Sequence, residues 1–290
     1  MMGKVLSKVG GHDWNPFPSI ILVTIATVSC AQLASRTGMS KSEAESIIRR
    51  VPTRVLCSIS WDAPSRRPNY LAAYEKHKKT IESISKLDWR KDTITSSQVD
   101  ALNDAKFQIN RAELIDLAIA LREDFRPPSG RRVATAYAEH APLIERVAAD
   151  DWRISAIGEA ESEKLSTAGR VLLAASQMDL ADTLAGGDAS AHVRTALLKH
   201  GQDVKQLAAK EWRSESPTDN ESKALGAVMD AHLMDLAVAF GRIAVLGTTD
   251  SVRSAYQEHQ PILQRLASKQ SGDEVTAEEK SAVCAVLSKF

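Results

Sequence analysis

A chain of 290 residues, 43% hydrophobic and 26% charged, is long enough for one large domain or two ordinary ones and is globular in composition. Its 37 basic and 37 acidic side chains cancel, which argues against a general nucleic-acid binder, whose phosphate contacts call for a basic surplus. Aromatic residues at 5%, with only 14 Gly and 10 Pro, are too few for a sandwich or barrel, and the Ala- and Leu-rich segments with Glu, Lys, Gln and Arg favour helices.

The first stretch of note is the uncharged segment Ser19 to Ala34, "SIILVTIATVSCAQLA". It is short for a membrane span, which needs about 20 residues. Lys4 and Lys8 precede it and small residues follow, the layout of a secretory leader with cleavage after Ala31. Cys30 offers a lipoprotein variant, with lipid on its sulfur, although Thr27 stands where that signal carries Leu. The competing reading is a buried helix of the folded domain. Residues 1–34 are therefore expected to be a leader and 35–290 the folded domain. Once a leader is removed, Cys57 and Cys284 remain near opposite ends of the chain. An elongated molecule would keep them apart, so two free, buried thiols are expected.

From residue 39 onward the chain repeats itself. "KLDWR" ends at Arg90, "ADDWR" at Arg153 and "AKEWR" at Arg213. Twelve residues before each Trp stands a histidine: His77, His140 and His200. Around each runs an apolar stripe in steps of 4, 3, 4 and 3, such as Val133, Tyr137, His140, Ile144, Val147, and a fourth copy runs Val252, Tyr256, His259, Leu263, Leu266. That spacing keeps one helix face buried. A second stripe precedes each: Ala105, Ile109, Ala112, Asp116; then Ala168, Leu172, Ala175, Asp179; then Ala224, Val228, Ala231, Asp235. The first copy is degenerate (Ala44, Ile48, Val51, Val55), and Ala282 and Val286 restart the pattern. Turns at Arg126 to Arg131, Ala185 to Ser190 and Leu246 to Asp250 separate the paired helices, and capping boxes open others at Ser40/Glu43, Thr218/Glu221 and Thr276/Glu279.

The expected fold is all-α: tandem helical hairpins of about 60 residues, at 39–90, 91–153, 154–213 and 214–270, with a half-repeat at 271–290. They would stack as an α-solenoid or pair as helical bundles, because one hairpin cannot bury its own stripe. The Trp of each "DWR" is expected to cover the seam between neighbours.

Chemistry is sparse. There is no CxxC, HExxH or glycine-rich phosphate loop, and "CSIS" at Cys57 lacks a neighbouring base. "SRRP" (65–68) and "GRR" (130–132) read as solvated basic spots. The repeated acids and histidines are the candidates: Asp116 with His140, Asp179 with His200, Asp235 with His259, each pair 21 or 24 residues apart across a turn and so at about the same height. They are expected to form buried structural pairs. The alternatives are metal ligation by facing hairpins and no contact between the two residues at all. The sequence thus predicts a non-enzymatic protein, exported or envelope-associated, that binds another protein as an adaptor, an inhibitor or immunity-type partner, or a secreted effector. No cofactor and no nucleic acid are expected, and membrane contact only through the leader or a lipid. The alternatives are a metal- or cofactor-binding bundle and a cytoplasmic location.

Overall fold

Four of the helices open on a reciprocal cap. The computed structural model describes residues 39–57, 64–88, 90–126, 128–186 and 189–290. The expected leader, the lipidation candidate Cys30 and Trp89 lie outside them. Ser40 accepts from the Glu43 amide while Glu43 reaches back to the Ser40 amide, starting α1 (Lys41–Arg50). After the short α2 (Thr53–Leu56) and a 3-10 turn (Pro64–Arg66) comes α3 (Pro68–Ser85), with Pro68 at its first position, where no amide is needed. Thr95 and Gln98 open α4 (Ser96–Phe125). Then follow α5 (Arg131–Ala148), α6 (Glu159–Ala185), α7 (Ala191–Ala209), α8 (Asp219–Leu246), α9 (Asp250–Ala267) and α10 (Ala277–Leu287). Glu161 accepts from the Gly158 amide ahead of α6, and Thr218/Glu221 and Thr276/Glu279 form the remaining boxes. Gly247 ends α8 at φ 107°, a conformation that an L side chain resists. The described residues contain helices and no strand.

From α3 to α10 each helix packs on the next in the chain, and α4, α6, α8 and α10 also touch in series. The apolar stripes meet in one continuous core, with Ala112, Leu121, Val133, Ile144, Leu172, Val193, Val228 and Leu263 all closed to solvent. Helix α8 is the one described helix long and apolar enough to span a membrane; 67% of that apolar window is buried inside the protein. The sequence turns also hold neighbours together. Trp152 and Trp212 are buried, Lys76 of α3 lies over the Trp152 ring, and Arg213 stacks on Trp212 while bonding Glu139 of α5. The seam expected of the "DWR" motif is present for these two copies.

The N-terminal part departs from expectation. The degenerate stripe Ala44, Ile48, Val51 is buried, but α1 packs against α8 instead of forming the first hairpin with α3. Arg242 donates from Nε to the Met39 carbonyl, and Arg50 donates to the Gly186 carbonyl at the end of α6. The chain therefore folds back across the molecule before α3 begins. This brings Cys57 and Cys284 to a Cα separation of 5.5 Å, and they form a disulfide spanning 227 residues of sequence. The expectation of two free thiols is overturned because the N-terminal arm, and not the stack of helices, sets the distance between them.

A bridge closing so long a loop removes much of the unfolded chain's freedom, and loss of such bridges costs about 2–5 kcal/mol. Cys284→Ser is expected to lower the denaturant midpoint accordingly, and Cys57→Ser and reductant should match it. A variant as stable as the oxidised parent would show that the arm is held without the bridge.

Candidate functional site

The acids at the fourth position of each stripe are the most informative groups in the molecule. Asp116 of α4 accepts from the Asn69 amide at 3.2 Å, the Tyr70 amide at 2.8 Å and the Asn69 side chain at 2.8 Å. Asp179 of α6 accepts from the Arg132 and Val133 amides at 3.3 and 3.0 Å and from the Arg132 guanidinium at 3.2 Å. Asp235 of α8 accepts from the His192 and Val193 amides at 3.2 and 3.0 Å, from His192 Nδ1 at 2.8 Å, and from the Ser190 hydroxyl. The same contact thus occurs three times. A carboxylate on one helix caps the start of the helix before it, taking the second and third amides and the second side chain. The capped helices α3, α5 and α7 have no side-chain cap of their own at Arg67, Gly130 or Ser190, whereas α9 is capped by Thr249.

The expected Asp–His pairs are therefore corrected. Asp116, Asp179 and Asp235 face backwards along the chain to the preceding helix, not forwards to His140, His200 and His259. Those three histidines are half-buried on α5, α7 and α9. His77 alone of the series is buried, its ring bonded to Gln108 of α4 at 3.0 Å. A carboxylate has acceptors only, and a helix start offers two or three unpaired donors in one place, so the cap satisfies more groups than an imidazole could. Among the described residues no group of three or more His, Cys, Asp or Glu side chains is arranged to hold a metal.

The basic spots are corrected as well. Arg66 pairs with Asp124 at 2.7 Å, and Arg67 pairs with Glu113 while covering the Tyr70 ring. Arg132 joins Asp179, Asp182 and the Ala208 carbonyl. Each is a latch between helices instead of a solvated loop.

Two further buried acids escaped the sequence reading as charge sites, although their capping boxes were legible. Glu221 receives Lys210, and Glu279, with its side chain fully buried, receives Lys269 at 2.7 Å and Arg265 at 3.2 Å. Burial raises the Glu279 pKa, but the bonds from Lys269, the Thr276 amide and Arg265 outweigh it and hold it at about 2. Asp235 follows the same logic: burial raises it, and His192, Ser190 and the two amides bring it below its ordinary value. The bond to Asp235 raises the His192 pKa against the opposing effect of burial.

Ser190, His192 and Asp235 place a hydroxyl, an imidazole and a carboxylate together, but Ser190 donates to the carboxylate and not to the imidazole, so the trio lacks the nucleophile–base contact of acyl transfer. This cluster borders a cleft of about 500 Å³ between α8 and α9. Its walls are mostly apolar, with Met39, Val238, Gly241, Val245 and Leu263, and Tyr256 places its hydroxyl over Gly241. Val245 carries the apolar surface out to solvent. No sequence motif announces the cleft: Tyr256 and Leu263 belong to the α9 stripe, while Val238, Gly241 and Val245 lie beyond the end of the α8 stripe.

Gly130 tests the capping contact. A Cβ on Gly130 would stand 2.2 Å from an Asp179 carboxylate oxygen, so Gly130→Ala must displace the cap. Both Gly130→Ala and Asp179→Ala are expected to cost about 2–4 kcal/mol in urea melts, and the double variant little more than either. Simple additivity would contradict the contact. Glu279→Gln should cost up to about 3 kcal/mol at pH 7, from the gap between its ordinary pKa and about 2. Because that pKa is depressed, the contribution is present above about pH 4.5 and lost as pH falls toward 2, so parent and variant melts should converge over that range.

No protein family matches this chain, and no curated protein or solved structure matches it.

Proposed function

We propose that the chain is an exported, non-enzymatic helical-repeat protein that binds another protein through the cleft between α8 and α9. In this reading α3 to α10 are stacked units of about 60 residues forming an α-solenoid, and the three carboxylate caps are its recurring joint. The observation that carries the binding role is the contrast between interior and cleft. The four buried carboxylates among the described residues, Asp116, Glu221, Asp235 and Glu279, all serve the frame as caps or ion pairs, while the cleft offers an apolar wall that runs out to exposed Val245. Apolar surface rimmed by polar groups is what protein partners dock on. Export is supported by the Cys57–Cys284 bridge, since disulfides persist in oxidising compartments.

Two measurements test the two halves. Protein recovered from its native cells should begin near Gln32 or carry lipid on Cys30; an intact Met1 would contradict export. Val245→Arg, which leaves the core untouched because Val245 is 60% exposed, should abolish co-purification of the partner captured by the parent protein while leaving helix content unchanged. Equal capture by parent and variant would place binding elsewhere.

A further inference from the structure

We propose that His232 makes the docking of the N-terminal helix acid-sensitive: its protonation releases α1 from α8, while the Cys57–Cys284 bridge keeps the released arm tethered.

His232 lies on α8, the helix that carries α1, and is completely closed to solvent. Among the described residues neither of its ring nitrogens has a hydrogen-bond partner. A buried imidazole without partners is costly even when neutral, and it has no hydrogen-bond acceptor for a second proton. The charged groups acting on it are few. Asp235, one turn along α8, favours protonation, but its oxygens are already engaged by the start of α7, including His192. Arg50, reaching in from α1, opposes protonation. Asp230, also on α8, has its carboxyl pKa raised chiefly by burial and is bonded to the Val275 backbone, and it does not act on the imidazole. Asp179 of α6 is paired with Arg132, Lys269 with Glu279 of α10, and Arg253 of α9 with Asp250. Burial first, and Arg50 after it, hold the His232 pKa down at about 4.

The consequence has a definite sign. A docked state with a depressed histidine pKa binds fewer protons than the undocked state, so docking is strongest above about pH 6.5 and weakens as pH falls toward 4. If undocking returns His232 to water, the docking equilibrium falls on the order of 30-fold between pH 7 and pH 5. The element being released is well suited to it. A ten-residue helix does not persist alone in water, so α1 melts once it leaves α8. Release would uncover the α8 surface beneath Ala44 and Ile48, next to the cleft whose rim includes Met39.

Amide hydrogen exchange of residues 42–50 in the full oxidised chain tests this, expressed as protection factors so that the intrinsic effect of pH drops out. The parent should lose on the order of 30-fold in protection between pH 7 and pH 5, with α5 unchanged, and His232→Met should keep its protection at both. Unchanged protection in the parent, or an equal loss in the variant, would overturn the proposal. Should His232→Met fail to fold, the parent decides: an NMR titration of the His232 ring should follow the same midpoint, below about 6, as the loss of protection at residues 42–50, and protection lost without titration of the ring, or a ring midpoint at about 6 or above, overturns the proposal.

Discussion

A helix that starts inside a protein leaves amides pointing at nothing, and each buried donor without an acceptor costs about 1–3 kcal/mol. In this chain that constraint is met from outside the helix. Asp116, Asp179 and Asp235 each reach from a long helix to the first turn of the one before it. A single buried carboxylate is itself expensive, but here two amides, a polar side chain and the positive end of the helix dipole surround it. Each party solves the other's problem, and the solution fixes where one helix stands along the next. Gly130 shows how closely the two must approach, since even a methyl group there would collide with Asp179.

The other polar contacts of the interior extend the same frame. Capping-box glutamates accept the cation that ends the preceding helix, as Glu221 does from Lys210 and Glu279 from Lys269. Trp152 and Trp212 close the turns, with Lys76 and Arg213 tying each turn back to an earlier helix. Against this regular frame the N-terminal arm is the exception. It crosses to α8 and is fastened at Cys284. The helix it packs on carries His232, the one buried side chain among the described residues whose polar atoms have no partner. Such an unmet polar group is where conformational change is most easily triggered.

Much of the fold was legible in the sequence because it rests on periodicity. The stripes through Val133, Val193 and Val252, the turns and the capping boxes predict the helices that are observed. The special acids were legible too, since each interrupts an apolar stripe. Their partner was not. Equal height on neighbouring helices is satisfied both by the helix that follows and by the one that precedes, and spacing alone does not choose between them. The missing signal lay at Arg67 and Gly130, which open helices without a capping side chain and so ask for an acceptor from elsewhere. The path of residues 39–57 was illegible for a different reason. Ala44, Ile48 and Val51 look like a first repeat, and an amphipathic stripe states that a face is buried without saying against what. That uncertainty misplaced α1 and, through it, the two cysteines. His232 carries no such signal, since it stands beside Ala231, one position off the apolar stripe of α8.

The three carboxylate caps are the joints on which the register of the helices depends. First-turn amides of a helix ordinarily exchange fast with solvent, having no acceptor within the helix. Site-resolved hydrogen exchange on the folded protein at neutral pH should therefore find the amides of Tyr70, Val133 and Val193 protected like those of the helix interiors, and Asp235→Ala should remove protection at Val193 while leaving Tyr70 and Val133 protected. Rapid exchange at all three in the parent protein would contradict the account.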